Sequence, residues 1–203
     1  MPIFCNNCGY ENSGTEKFCK GCGGEIVLTT GKNLNTGILL DKRYEIKRKI
    51  KAGGMGAIYE ALDHRFAKTP CAVKEMLGHS TDSKEEKYLI ERFTEEAKIL
   101  HKLRHHSLPV VKDYFTENGR YYLVMDYIEG EDLDTIMHKY KDKGVPENLV
   151  IKWSKQILNA LEYLHNQSPP IIYRDLKPAN VMLQKSEDKI MLVDFGIART
   201  VEA

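Results

Sequence analysis

The stretch Ile172-Tyr173-Arg174-Asp175-Leu176-Lys177-Pro178-Ala179-Asn180 constrains this chain more than any other. It packs an acid, a base and an amide between two apolar runs, so it reads as a polar loop held between short strands. A second acid follows in the triplet Asp194-Phe195-Gly196, directly after the strand-like Ile190-Met191-Leu192-Val193. Two carboxylates and an amide at the ends of short apolar strands offer hard oxygen donors, the kind that metal-bound phosphate chemistry requires.

The remaining chemistry lies in the cysteines. Four of the five fall at the N-terminus, as Cys5-x-x-Cys8 and Cys19-x-x-Cys22, while Cys71 sits alone in a strand-like segment. Each pair is followed by a glycine, Gly9 or Gly23, which permits the tight turn that points backbone N–H groups at sulfur. Two such turns supply four thiolates for a tetrahedral Zn2+ site. A unit of this size has too little apolar surface for a core, so the metal would supply its folding energy. Two disulfides are the competing assignment, and a thioredoxin-like redox motif would need a βαβ setting that is absent. Residues 1–27 are therefore expected to form a structural zinc ribbon, similar to the short ribbons found at the ends of many bacterial proteins.

Charge and hydropathy narrow the class further. Lys plus Arg total 30 against 29 Asp plus Glu, a net +1, so nothing biases the chain toward nucleic acid or anionic membrane. No apolar run approaches the roughly 18 residues of a membrane span. The opening Met1-Pro2-Ile3-Phe4 lacks the basic-then-apolar order of a signal peptide. The expected compartment is the cytoplasm, with no membrane span in this chain and no nucleic-acid partner. At 203 residues and 42% hydrophobic content, one or two domains with a real core are expected.

Residues 28–43 read as a linker, being rich in Thr, Asn and Gly with little periodicity. From Tyr44 a strand leads into the glycine turn Lys51-Ala52-Gly53-Gly54-Met55-Gly56, and Ile58–Leu62 resumes a strand. Free N–H groups in such a turn can lie over phosphates, although hairpins use glycine turns for many purposes. Pro70–Met76 is a third strand carrying Lys74 among apolar neighbours. Lys84–Arg104 is helical, with Leu89, Phe93, Leu100 and Leu103 on one apolar stripe. Glu96 falls on that stripe, where a carboxylate is costly unless paired, and Lys74 is the expected partner. Val110–Phe115 and Tyr121–Ile128 are strands joined through Asn118-Gly119, a strong hairpin signal. Glu129–Leu133 is expected to end the sheet and start a short helix. Pro146–Asn166 is a longer helix whose stripe is Val150, Trp153, Ile157, Leu161 and Leu164.

Taken together, these features resemble the protein kinases, and within them the bacterial eukaryotic-like serine/threonine kinases, over about Tyr44 to Glu202. The resemblance implies an α+β, protein-kinase-like fold. Its N-lobe, residues 44–128, would be an antiparallel β-sheet with one regulatory helix. An incomplete helical C-lobe would occupy 129–203, and the zinc ribbon would precede both. It also implies transfer of the ATP γ-phosphoryl group to protein Ser or Thr hydroxyls. Gly53, Gly54 and Gly56, with Lys51 in the same nucleotide-binding turn, would close over the phosphates. Lys74 would hold the α- and β-phosphates and be oriented by Glu96. Asp175 would accept or orient the proton of the attacking hydroxyl, and Lys177 would neutralise charge on the transferred group. Asn180 and Asp194 would ligate Mg2+. Ile50, Ile58 and Ala72 would roof the adenine and Met182 would floor it. Met125 would take the gatekeeper position, with the backbones of Asp126 and Ile128 bonding the purine edge.

Three departures from the family pattern stand out. Lys51 occupies the place of the loop's first glycine, and Tyr173 replaces the histidine that usually precedes Arg174-Asp175. The chain also ends at Ala203, before any activation segment or substrate-binding helices. From that end the expectation is a truncated domain with little or no phosphotransfer to protein on its own. A non-catalytic ATP-binding or scaffold module, docking a partner through its ribbon, is the alternative. The protein substrate and the ribbon's partner are not legible.

Overall fold

The computed structural model describes residues 3–4, 11–12, 18–21, 23–24, 34–53, 56–77, 83–185, 188–194 and 199–200. Two short N-terminal strands, β1 (Ile3–Phe4) and β2 (Glu11–Asn12), pair antiparallel. The main sheet is built from β3 (Leu39–Leu40), β4 (Tyr44–Gly53), β5 (Gly56–Asp63), β6 (Thr69–Leu77), β7 (Val111–Glu117) and β8 (Arg120–Asp126). Its order is β3-β4-β5-β6-β8-β7, every neighbour antiparallel. Helix α1 (Ser83–Lys102) connects β6 to β7 and packs on β7 and β8. β7 and β8 meet at Asn118-Gly119 with φ of 52° and 69°, the two positive values a type I′ turn needs and this dipeptide supplies.

Strand alternation gives the sheet two different faces. On one, Tyr44, Ile46, Tyr59, Ala61, Cys71, Val73, Tyr122 and Val124 form a closed cluster. On the other, Ala72, Leu123 and Met125 join a larger core with Leu100 and Leu103 at the end of α1 and with the elements that follow. These are β9 (Gly130–Asp132), α2 (Leu133–Tyr140), α3 (Glu147–His165), β10 (Ile171–Ile172), β11 (Val181–Gln184) and β12 (Lys189–Leu192), with β13 (Arg199–Thr200) pairing β10.

Three expectations are corrected. Residues 34–43 are not a free linker. Leu34 and Leu40 are buried in the closed cluster, Leu34 N–H donates to the Tyr59 hydroxyl at 3.0 Å, and β3 pairs with β4. A two-residue strand is too short to show a period in sequence. Second, the main sheet does end before Gly130, but Gly130–Asp132 is itself a strand, β9, paired with β11 in a separate three-stranded sheet, β12-β11-β9. Its partners are residues 182–184, so no local pattern reveals it. Third, Val150 is 45% exposed on α3, whereas Trp153 and Leu164 are buried and Ile157 and Leu161 half-buried. Helix α2 begins where expected, with Asp132 Oδ1 accepting the Thr135 N–H at 2.8 Å.

Glycine at 130 is a steric requirement. A Cβ there would lie 2.2 Å from the Leu183 carbonyl oxygen, which is backbone and has little room to yield. Gly130→Ala is therefore expected to cost about 1–3 kcal/mol, read as a lower denaturant midpoint at unchanged slope. An unchanged midpoint would show that β9 and β11 separate freely.

A buried ionic group crosses the closed face. Glu75 is 3% exposed and pairs with Arg120, 8% exposed. The Tyr59 hydroxyl donates to Glu75 Oε2 at 3.0 Å, and the Tyr122 hydroxyl to Oε1 at 3.3 Å. Burial pushes the Tyr59 phenol up to about 12, so it stays a donor over the physiological range.

Candidate active site

The loop after β10 is pinned at several points. Asp175 N–H donates to the Tyr173 carbonyl at 2.7 Å, Asn180 N–H to the Lys177 carbonyl at 2.9 Å, and Val193 N–H to the Asn180 carbonyl at 2.9 Å. Tyr173 is buried and its hydroxyl donates to the Val193 carbonyl, with the Asn180 carbonyl at 3.3 Å. The tyrosine that departs from the family pattern thus ties the loop to the residue immediately before Asp194. Arg174 and Asp194 adopt left-handed φ of 54° and 64°. Asp tolerates that region; Arg does so at some cost, which the surrounding bonds offset.

Two ion-pair clusters result. Lys177 Nζ lies 2.7 and 3.0 Å from the two Asp175 carboxylate oxygens. Asn180, fully buried, donates through Nδ2 to Asp175 Oδ2 at 2.8 Å and to the Asp175 carbonyl at 3.0 Å. The Lys177 contact is the main cause that holds the Asp175 carboxyl below its ordinary range. Desolvation, second in size, opposes it, while the Asn180 bond and the fields of Lys177 and Lys51 act with it. The second cluster is Lys74 Nζ with Asp194 Oδ1 at 2.6 Å, joining β6 to the segment after β12. Lys74 and Asp194 belong to elements far apart in sequence, and the fold brings them together.

Not every expected site residue falls among those described. Glu96 is on α1, but its side chain lies outside the described residues, as do Gly54, Cys5, Cys8 and Cys22. The described carboxylate against Lys74 is Asp194. Ala72 sits opposite Met125 in register, both nearly buried, and Ile58 packs against the same cluster. Ile50 is 45% exposed on β4, Met182 half-buried on β11, and Ile128 half-buried. Asp126 is held by the main chain, its N–H donating to the Val110 carbonyl at 3.1 Å and its Oδ2 accepting from Val110 N–H at 2.9 Å. At the N-terminus, Cys19 is buried and its Sγ accepts Gly21 N–H at 3.2 Å, the turn geometry expected of a CxxC knuckle. Among the described residues no three His, Cys, Asp or Glu side chains gather as a metal site. A cavity of about 400 Å³ between α2, α3 and β11 is lined by Ile136, Tyr140, Trp153 and Leu183 and holds none of the expected site residues.

Lys51, expected in the phosphate-binding turn, instead reaches the loop after β10. Lys51 Nζ donates to Asn180 Oδ1 at 3.1 Å and lies 3.5 Å from the Ala179 carbonyl. The contact with Asn180 is not anticipated by the sequence; the one signal for it is the departure from glycine at that position.

Residues 44–203 match the protein kinase domain family. The chain belongs to that family. It is 30% identical over 197 residues to serine/threonine-protein kinase B of Synechocystis, covering 95% of this chain and 31% of that protein. It is 30% identical to the probable serine/threonine-protein kinase YbdM of Bacillus subtilis, covering 85% of this chain and 64% of the relative. The solved kinase domain of Mycobacterium tuberculosis PknI superposes with a TM-score of 0.67 at 27% identity, over 82% of this chain and 62% of that one. This kinase chain thus spans less than two thirds of each relative. No helix among its described residues is long and apolar enough to cross a membrane.

Proposed function

We propose that this kinase domain transfers the γ-phosphoryl group of ATP to serine or threonine hydroxyls of a protein substrate. The observation that carries the reading is the convergence of Lys74 with Asp194, and of Lys177 and Asn180 with Asp175, from β6, the loop after β10 and the end of β12. Asp175 is the acceptor for the substrate hydroxyl proton. Its low proton affinity keeps it ionised. Asn180 Nδ2 and Lys177 both donate to Oδ2, and Lys177 also reaches Oδ1. Lys177 supplies positive charge where the phosphoryl group passes, and Lys74 supplies it toward the α- and β-phosphates. The serine/threonine preference is supported by the serine/threonine-protein kinases among the relatives and by the lysine at 177.

The residues fit Mg2+. Its proposed donors are the Asp194 carboxylate and the Asn180 amide oxygen, both hard oxygens, and each already has an ammonium group against it, so both lie where a cation is favoured. Bound there, the ion would bridge phosphate oxygens and neutralise developing charge. Cys5, Cys8, Cys19 and Cys22 are the proposed zinc ligands of residues 1–27, supported by the knuckle turn at Cys19. The compartment proposed is the cytoplasm, where thiols remain reduced.

The test is Lys74→Met. Phosphotransfer is expected to fall by about 10²-fold or more while the fold persists, because the loss is of charge directed at phosphate. Equal rates for the variant and the native chain would overturn the reading.

A further inference from the structure

The reaction as described gives Lys51 no task, yet its ammonium sits at the centre of the polar cluster. The orientation of the Asn180 amide follows from its other end. Nδ2 faces two acceptors, the Asp175 carbonyl and carboxylate, so Oδ1 is the atom that meets the lysine. The backbone aims the side chain. Lys49 pairs with Tyr59 but Lys51 pairs with Ile58, the register shifting by one between them. Without that bulge Lys51 would share the Tyr59 face, the closed one. With it, Lys51 lies in one cross-strand row with Ile58 and Lys74, on the face that carries the site.

In protein kinases two magnesium ions are held, one of them through the asparagine of this loop. Here a cation from the chain itself is already on that oxygen. We propose that Lys51 takes the place of a metal ion at Asn180, so that the nucleotide is held by a single divalent cation at Asp194 together with the Lys51 ammonium. The inference rests on the kinase reading and departs from it at Asn180, whose amide oxygen is then satisfied by the Lys51 ammonium and not by Mg2+. An ammonium carries three donors on a compact charge, so one can remain on Asn180 Oδ1 while the others meet phosphate oxygens. A glycine at 51 leaves the amide oxygen open to a hydrated ion.

Counting bound Mn2+ tests this. The native chain, Lys51→Gly and Lys51→Met are titrated with Mn2+ at saturating non-hydrolysable ATP analogue, free ion being read by electron paramagnetic resonance. One ion per native complex and two per complex in both variants is the expected result. Because Lys51 is exposed, thermal melting of the variants should match the native chain. Two ions in the native complex, or one in the variants, would overturn the inference alone. Calorimetry of the analogue on the same samples separates the other failure. No nucleotide binding by the native chain would overturn the kinase reading, and the inference with it.

Discussion

Asp175→Asn is expected to lower phosphotransfer by about 10²–10⁴-fold, the range for loss of a positioned general base. Asparagine fills the same volume, and the Lys177 and Asn180 neighbours stay, so the loss is of proton acceptance and charge. Nucleotide affinity should change by no more than about twofold, since the effect falls on kcat and not on ground-state binding. A large loss of ATP affinity at unchanged kcat would contradict the assignment. The acid limb of kcat/KM provides a second measurement. Asp175 is held below the ordinary carboxylate range chiefly by Lys177, so the unprotonated base persists to lower pH than a free aspartate would allow. Removing the ammonium in Lys177→Met raises that proton affinity, and the acid limb should move to higher pH. A limb that stays in place would place the titration elsewhere.

Glu75→Ala is expected to cost about 3–5 kcal/mol, the range for breaking a buried ion pair from one side. Glu75 and Arg120 are 3% and 8% exposed, so water cannot replace the lost carboxylate at Arg120. Two buried tyrosine hydroxyls lose the same acceptor. Denaturant titration measures the loss. A midpoint within error of the native chain would show that the pair adds nothing. Replacing Glu75 and Arg120 together by apolar residues of similar volume should recover part of the loss, because the buried charges are then removed from both sides.

Neither of these two acids was equally legible. Asp175 stands in a stretch whose chemistry is local, flanked by apolar strands, and its neighbours in sequence, Lys177 and Asn180, are also its neighbours in space. Glu75 adjoins Lys74 in a strand, and alternation sends the two to opposite faces. Lys74 meets Asp194 on one face and Glu75 meets Arg120 of β8 on the other, and nothing in the segment around Glu75 indicates Arg120. The Asn118-Gly119 hairpin was legible because a type I′ turn is decided by two residues. Strands β3 and β9 were not, since each owes its existence to a distant strand.

The amino-acid order alone determined the inventory: the acid, lysine and amide of residues 175–180, the second acid at 194, the lysine at 74, and the family to which they belong. These follow from residue type and short spacing, which a chain displays without folding. The tertiary structure decided how they meet. It put the Asp194 carboxylate against Lys74, tied the loop of residues 173–180 to Val193 just after β12 through the Tyr173 hydroxyl, and turned Lys51 onto Asn180 by a one-residue bulge. Each of these depends on the register and approach of elements distant in sequence, and that information exists only once the backbone is packed.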